Sequence, residues 1–196
     1  MSVRSDAEGV QGYYVFMGTL IRHLIKLTDH RERDLLELTL SKALIDLLPL
    51  RGVVIARVLS EEGVGRWMPV AKLDARGGGS VTDPLRVDFE TLPKLEDEKD
   101  RLRCLRTHQR VEVALEGDAG PRITYIPLFE SSHTDDEGVL EIHSPKALTD
   151  SELETIGLVQ HVFRNMYHLL AYSDRDGLTG LLNRKSLDDT FYNAVL

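Results

Sequence analysis

The 196-residue chain contains 42% hydrophobic and 29% charged residues, and its 24 Lys and Arg against 32 Asp and Glu give a net charge of −8. This composition excludes a disordered tail and a membrane protein. The acidic balance also argues against nucleic acid or an anionic membrane surface as a partner. The length suits one domain, or one domain followed by a fragment of another.

The first residues of the chain are small and polar, and we expect residues 1–12 to be poorly ordered. No apolar segment follows the first Arg, so no secretory signal is predicted. No apolar run approaches the roughly 20 residues that cross a bilayer. The single cysteine, Cys104, has no partner for a disulfide within the chain. Together these features predict a cytoplasmic protein.

Helical periodicity begins at Tyr13. Apolar residues three and four positions apart predict one helix over residues 13–27 and a second from Arg33 to Leu48, which Pro49 ends. The middle of the chain is richer in β-branched residues. Its predicted elements are a hairpin of strands at 53–59 and 66–73, a Gly-rich loop at 77–84, a short helix at 94–107 and a strand at 111–115.

Two further strands and a long helix complete the described pattern. The strands are predicted at 122–129 and 138–143, and the helix extends over about 25 residues from Thr149 to Ser173. This order predicts an α+β fold, in which flanking helices cover an antiparallel sheet, and we expect the helices on one face.

No enzyme motif is present. Gly77–Ser80 lacks the Lys that follows the glycines of a phosphate-binding loop, and there is neither a G-x-S-x-G nor an H-E-x-x-H motif. The seven histidines are scattered without the spacing of a metal site. We therefore predict no catalytic residue, no metal and no cofactor in this chain.

A weak candidate for a ligand pocket consists of Trp67, Cys104 and Tyr125. Neighbouring Arg residues would stabilise a Cys104 thiolate, which could then bind an electrophile or a tetrapyrrole. The alternatives are an inert, buried cysteine on a helix and aromatic side chains that belong to the core.

The last helix has an apolar seam with the 3-4-3-4 spacing of a coiled coil, formed by Ile156, Val159, Phe163, Met166 and Leu170. Leu158, Val162 and Leu169 lie off this seam and are expected to pack on the domain's own sheet. The seam predicts a homodimer in which terminal helices pair across a two-fold axis. The alternative is a helix layer packed entirely within one chain.

A specific motif follows this helix. The sequence Asp176-Gly-Leu-Thr-Gly-Leu-Leu-Asn-Arg184 resembles the D-x-L-T-G-L-x-N-R motif at the start of GGDEF (diguanylate cyclase) domains. The matching positions are Asp176, Leu178, Thr179, Gly180, Leu181, Asn183 and Arg184. The GG[D/E]EF signature itself is absent, so the resemblance implies that residues 176–196 are the N-terminal fragment of such a domain. The parent cyclase would need Mg and GTP.

The preceding region, over roughly residues 20–172, resembles a GAF domain. The resemblance rests on the paired strands Ile123–Phe129 and Gly138–His143 and on the helix that leads into the output motif. A PAS domain is the alternative, although two leading helices favour GAF. The implied organisation is a sensor domain at 13–150, a signalling helix at 151–175 and the GGDEF fragment at 176–196.

Together the resemblances imply the sensor and dimerisation region of a diguanylate cyclase, which binds an unknown small molecule and does not itself catalyse. One alternative is a ligand-free dimerisation or scaffold module. Another is an output domain that binds nucleotide without catalysis.

Overall fold

The strands form where β-branched and apolar residues are concentrated between Gly-containing turns. The structure is a computed structural model that describes residues 3–29, 33–82, 86–117, 119–129 and 137–173. Its helices are α1 (Val3–Asp29), α2 (Arg33–Leu47), α3 (Lys99–Thr107) and α4 (Asp150–Ser173). Its strands are β1 (Gly52–Glu61), β2 (Val64–Asp74), β3 (Gly79–Val81), β4 (Val111–Ala114), β5 (Arg122–Pro127) and β6 (Gly138–Ser144). No helix within these ranges is long and apolar enough to span a membrane.

The six strands form one antiparallel sheet in the order β3-β2-β1-β6-β5-β4. Glu62 and Gly63 join β1 to β2, and both have positive φ angles, of 49° and 82°. This geometry matches the right-handed twist of a tight hairpin, and Gly63 adopts it without strain. The predicted α+β class, an antiparallel sheet with flanking helices, is confirmed.

Helices cover both faces of the sheet. On one face, here called the long-helix face, α2 lies against β1 and β2, and α1 and α4 pack against α2 and each other. The other face, the α3 face, is covered by α3, whose Leu102, Cys104 and Leu105 are buried. The expectation that the helices share one face is therefore wrong. The sheet is apolar on both sides, so each side needs a cover.

Three boundaries differ from those predicted. Helix α1 begins at Val3 rather than Tyr13, so the segment expected to be poorly ordered is helical from Val3 onward. This segment contains Ala, Glu and Gln, which favour helix. Strand β3 lies in the predicted loop, because Gly77, with φ of 85°, turns the chain back onto β2. The helix predicted from residue 94 begins at Lys99, after a 3-10 turn over Leu95–Asp97.

Helix α4 is attached to the end of β5 by polar contacts. The side-chain amide of Gln160 donates to the carbonyl oxygen of Pro127 at 2.6 Å. Arg164 donates from Nε to the carbonyl oxygen of Leu128 at 2.8 Å and from Nη2 to that of Pro127 at 3.1 Å. Gln160 is buried, and its bonds satisfy carbonyl groups at the point where the strand ends. These contacts fix the middle of α4 to the end of β5.

A buried polar group also joins β1 to two helices on the long-helix face. Arg57 of β1 donates from Nη1 to Glu37 Oε1 of α2 at 2.7 Å and from Nη2 to the Tyr167 hydroxyl of α4 at 2.8 Å. Its guanidinium also lies 5.5 Å from the centre of the Phe129 ring. Burial opposes the charged form, but the contacts with Tyr167 and Glu37 outweigh it and raise the pKa of Arg57 above its usual value.

Candidate ligand site

The three residues predicted to line a pocket lie together on the α3 face. Trp67 of β2, Cys104 of α3 and Tyr125 of β5 are buried in one cluster, the α3 core. The cluster is completed by Ala56, Leu102, Leu105, Val111 and Val139. Side chains therefore fill the centre of this face. The three residues form a small second core, as expected if they are packed core side chains rather than the lining of a pocket.

Cys104 has the surroundings of an inert thiol. Its side chain is fully buried, and this burial raises the pKa of the thiol to about 12. The Arg residues next to it in sequence do not lower that pKa, because on a helix side chains one position apart point in different directions. A thiolate is the nucleophile in covalent attachment, so this environment disfavours a linked tetrapyrrole or electrophile.

We expect native Cys104 to react with Ellman's reagent about a hundredfold or more slowly than in denaturing guanidinium chloride, because the thiol is buried and protonated. The measurement is the absorbance time course at mildly alkaline pH. A matched control is Arg103→Cys in a Cys104→Ala background, because residue 103 is an exposed neighbour on the same helix. That control should react at once. Rapid, stoichiometric labelling of native Cys104 would contradict the burial argument.

A row of polar side chains borders the α3 core. Glu141 of β6 is buried, and its Oε2 accepts a bond of 2.5 Å from Arg101 Nη2 of α3. Its Oε1 lies 2.6 Å from Nε2 of His143, two residues further along the strand. Burial opposes ionisation of Glu141, but the hydrogen bonds from His143 and Arg101 outweigh it and hold the pKa of this carboxyl below its usual range. Arg101 also lies 5.2 Å from the centre of the Trp67 ring.

Sequence reasoning missed this polar row. Glu141 and His143 alternate with apolar residues in β6, so the period of two places them on one face of the strand. That pattern could have identified them. Arg101 could not be found in the same way, because only the fold brings α3 over β6.

A cavity of about 220 Å³ opens at the end of the α3 face. It lies where β1 and β5 begin and where β2 and β6 end, beside the connection from β4 to β5. Gly52 pairs with Asp74 on one side and with His143 on the other, so no side chain separates these two cross-strand neighbours. The cavity therefore lies above a glycine and touches the polar row at His143.

The predicted dimer seam faces inward. Ile156, Val159 and Phe163 are buried in the chain's own core, and Met166 and Leu170 are packed against it. Leu158 and Leu169, expected to pack on the sheet, are instead 54% and 62% exposed. Val162 packs against the core as expected, whereas the assignment of Leu158 and Leu169 is corrected. Both faces of α4 have residues three and four apart, and periodicity alone does not indicate which of them meets the sheet.

The motif from Asp176 to Arg184, with its positions Leu178, Thr179, Gly180, Leu181 and Asn183, lies outside the described residues. The predicted GGDEF fragment at residues 176–196 lies there as well.

Comparison with known proteins identifies the fold. No protein-family model matches the sequence, and no curated protein is significantly similar to it. The GAF domain of a phosphoenolpyruvate-protein phosphotransferase from Acinetobacter has a TM-score of 0.54 at 11% identity, over 82% of this chain and 96% of that one. The corresponding domain from Coxiella burnetii has a TM-score of 0.52 at 12% identity, over 81% and 96%.

A third similar structure is the chromophore-binding domain of a bacteriophytochrome from R. palustris. Its TM-score is 0.54 at 7% identity, over 82% of this chain and 62% of that one. These likenesses agree with the antiparallel six-stranded sheet and its flanking helices. The described part of this chain has the fold of GAF domains.

Proposed function

We propose that this chain is the regulatory, dimer-forming sensor region of a diguanylate cyclase, in which α4 transmits the state of the sensor to a GGDEF output domain. The GAF fold supports the sensor role, and the motif from Asp176 to Arg184 directly after α4 supports the output domain. The parent enzyme would use Mg and GTP, and its product would be c-di-GMP. Two output domains must face each other because each supplies one GTP, so a dimer is part of the proposal.

The observation that carries this proposal is a pair of exposed apolar stripes on adjacent helices. On α1 the stripe consists of Tyr14, Gly18, Ile21 and Ile25, spaced 4-3-4, with Ile21 and Ile25 51% and 55% exposed. On α4 it consists of Leu158, Leu169 and Tyr172. We call them together the outer stripes. Helices α1 and α4 contact each other, so the stripes lie on neighbouring elements.

The outer stripes suit a four-helix contact with a second copy of the chain. The α1 residues have the spacing of a coiled-coil seam, and two copies related by a two-fold axis would bury them against each other. On α4 the exposed apolar residues lie near its two ends, with Leu158 close to the start and Leu169 and Tyr172 close to the end. Gly18 adds to this fit, because nothing lies within 4 Å of the Cβ position at this residue and a partner helix has room to approach closely. A change in the crossing angle of the two α4 helices would then reposition the output domains.

Dimerisation is tested by introducing charge into each stripe. We expect Ile21→Glu and Leu169→Glu to convert a dimer into a monomer without unfolding it, because each places a carboxylate in an apolar contact. Sedimentation velocity at micromolar concentration gives the mass, and circular dichroism checks the fold. Val64→Glu is the matched control, since Val64 is 53% exposed but is the first residue of β2 and belongs to neither helix.

The outcomes decide whether the outer stripes form the dimer interface. A monomeric unmodified chain, or stripe variants that remain dimeric like the control, would contradict the proposed interface. In the parent protein, loss of the dimer should also abolish c-di-GMP synthesis, measured by chromatography of the nucleotide products.

A second candidate function is a ligand-free dimerisation or scaffold module. It is favoured by the filled α3 core, in which Trp67, Cys104 and Tyr125 occupy the centre of the α3 face. This candidate predicts the same dimer but no small-molecule dependence of c-di-GMP synthesis in the parent protein.

A further inference from the structure

One cavity of the α3 face lies at the end of this face rather than at its centre. The α3 core fills the middle of the sheet, whereas the cavity of about 220 Å³ lies over the row that contains Gly52. A Cβ atom at Gly52 would approach the carbonyl oxygen of Leu73 to 3.0 Å, so the position is crowded for any larger residue. A glycine here keeps the space between Asp74 and His143 open.

The walls of the cavity combine apolar surface with cations. Val54 lies on its floor, and Leu115 and Pro121 line it from the β4–β5 connection. Leu115 is 55% exposed, although it is a large apolar side chain. The cationic lining residues are Arg51, Lys72 and Arg122, with His143 beside them. An apolar surface bordered by positive charge matches a ligand with an apolar body and a negative group.

The charged residues that line the cavity differ in whether they already contact another group of the protein. Arg122 is paired with Glu112, and His143 with Glu141. The carboxylate of Asp74 accepts bonds of 2.7 and 3.0 Å from the backbone N–H groups of Arg76 and Gly78 in its own turn. Arg51 and Lys72 are exposed, and neither forms an ion pair with any residue in the described ranges. Two cations therefore remain at the rim for a ligand.

We propose that this cavity binds a small organic anion, with its apolar body against Val54, Leu115 and Pro121 and its anionic group at Arg51 and Lys72. The volume of about 220 Å³ is below the range of about 300–1,000 Å³ that holds drug-sized ligands, so the ligand is smaller than these. The biological meaning of this inference rests on the proposed sensor role, because the bound anion is the signal that such a sensor would report.

The test compares three probes of one size and different charge: phenylacetate, phenylethanol and phenylethylamine. Each is titrated into the full chain, uniformly labelled with ¹⁵N, and amide shifts are followed by NMR. We expect phenylacetate to shift the amides of Gly52, Lys72 and Ser144 in a saturable manner. Phenylethanol should bind about two- to fivefold more weakly because it lacks the charge, and phenylethylamine about tenfold or more.

Variants separate the two halves of the site. Arg51→Gln and Lys72→Gln should each weaken phenylacetate about two- to fivefold and leave phenylethanol unchanged. Lys42→Gln, which removes an exposed charge on α2, should alter neither. Leu115→Ser should weaken both probes, because it removes apolar contact rather than charge.

Several results would overturn the proposal. They are the absence of saturable shifts with phenylacetate, equal or tighter binding of the amine, shifts that map away from the cavity, and glutamine variants that bind like the Lys42 control. The probe comparison uses the unmodified chain, so it stands even if a variant fails to fold. Ligand binding is measured independently of dimer formation. A negative NMR result would therefore not contradict the proposed dimer interface, which sedimentation velocity tests separately.

Discussion

Replacing Arg57 with methionine is expected to lower the free energy of unfolding by about 3–5 kcal/mol. Arg57 joins β1 to Glu37 of α2 and to Tyr167 of α4, and the side chains of Arg57 and Glu37 are only 13% and 5% exposed. Methionine retains the apolar volume but leaves the Glu37 carboxylate buried without the guanidinium. The cost is therefore that of a desolvated charge. Urea denaturation followed by circular dichroism measures it.

A double variant distinguishes this explanation from loss of packing. Arg57→Met with Glu37→Leu removes both charges, and it should recover most of the stability lost in the single variant. The matched surface control is Arg103→Met, which breaks an exposed ion pair with Asp100 and should cost no more than about 1 kcal/mol. If Arg57→Met cost as little as this control, the buried group would not hold α2 and α4 on the sheet.

The second large effect is expected within α4. Phe163→Ala should cost about 3–5 kcal/mol, because Phe163 is fully buried and its removal leaves a cavity beside Phe129 and Tyr167. Leu169→Ala, six residues later on the exposed side, should change the stability of the monomer by about 0.5 kcal/mol or less. Both are measured by urea denaturation, extrapolated to low protein concentration.

This contrast tests the corrected assignment of the two faces of α4. If the seam of Phe163, Met166 and Leu170 formed the dimer interface, Phe163→Ala would dissociate the dimer and leave the monomer stable. With the faces as the structure places them, Phe163 affects folding and Leu169 affects association. The opposite pattern would show that α4 is rotated relative to its position in the structure.

The predicted helices and strands agree best with the structure where the local sequence pattern is strong. The bounds of α4 follow from the acidic start after Thr149 and a long helical pattern, and the β1–β2 hairpin follows from two apolar strands that flank a turn containing Gly63. Strand β3 was missed because a three-residue edge strand has no periodicity of its own. Its formation depends on pairing with β2 rather than on residue preference.

The candidate site, too, could be predicted only in part from the sequence. The sequence predicted Trp67, Cys104 and Tyr125 as a weak ligand pocket, with a packed core as the alternative. It could not decide between the two, since packing depends on the distance between α3 and the sheet. The gap at Gly52 arises from the register of β1 against both β2 and β6, and register is a property of the assembled sheet.

Side-chain hydrogen bonds from α4 hold this helix against the end of β5. Gln160 and Arg164 donate hydrogen bonds to the carbonyl oxygens of Pro127 and Leu128. These bonds fix the end of β5 to the middle of α4. Arg122, at the other end of the same strand, lines the cavity. Strand β5 therefore connects the cavity at the end of the α3 face to the middle of α4 with no intervening loop.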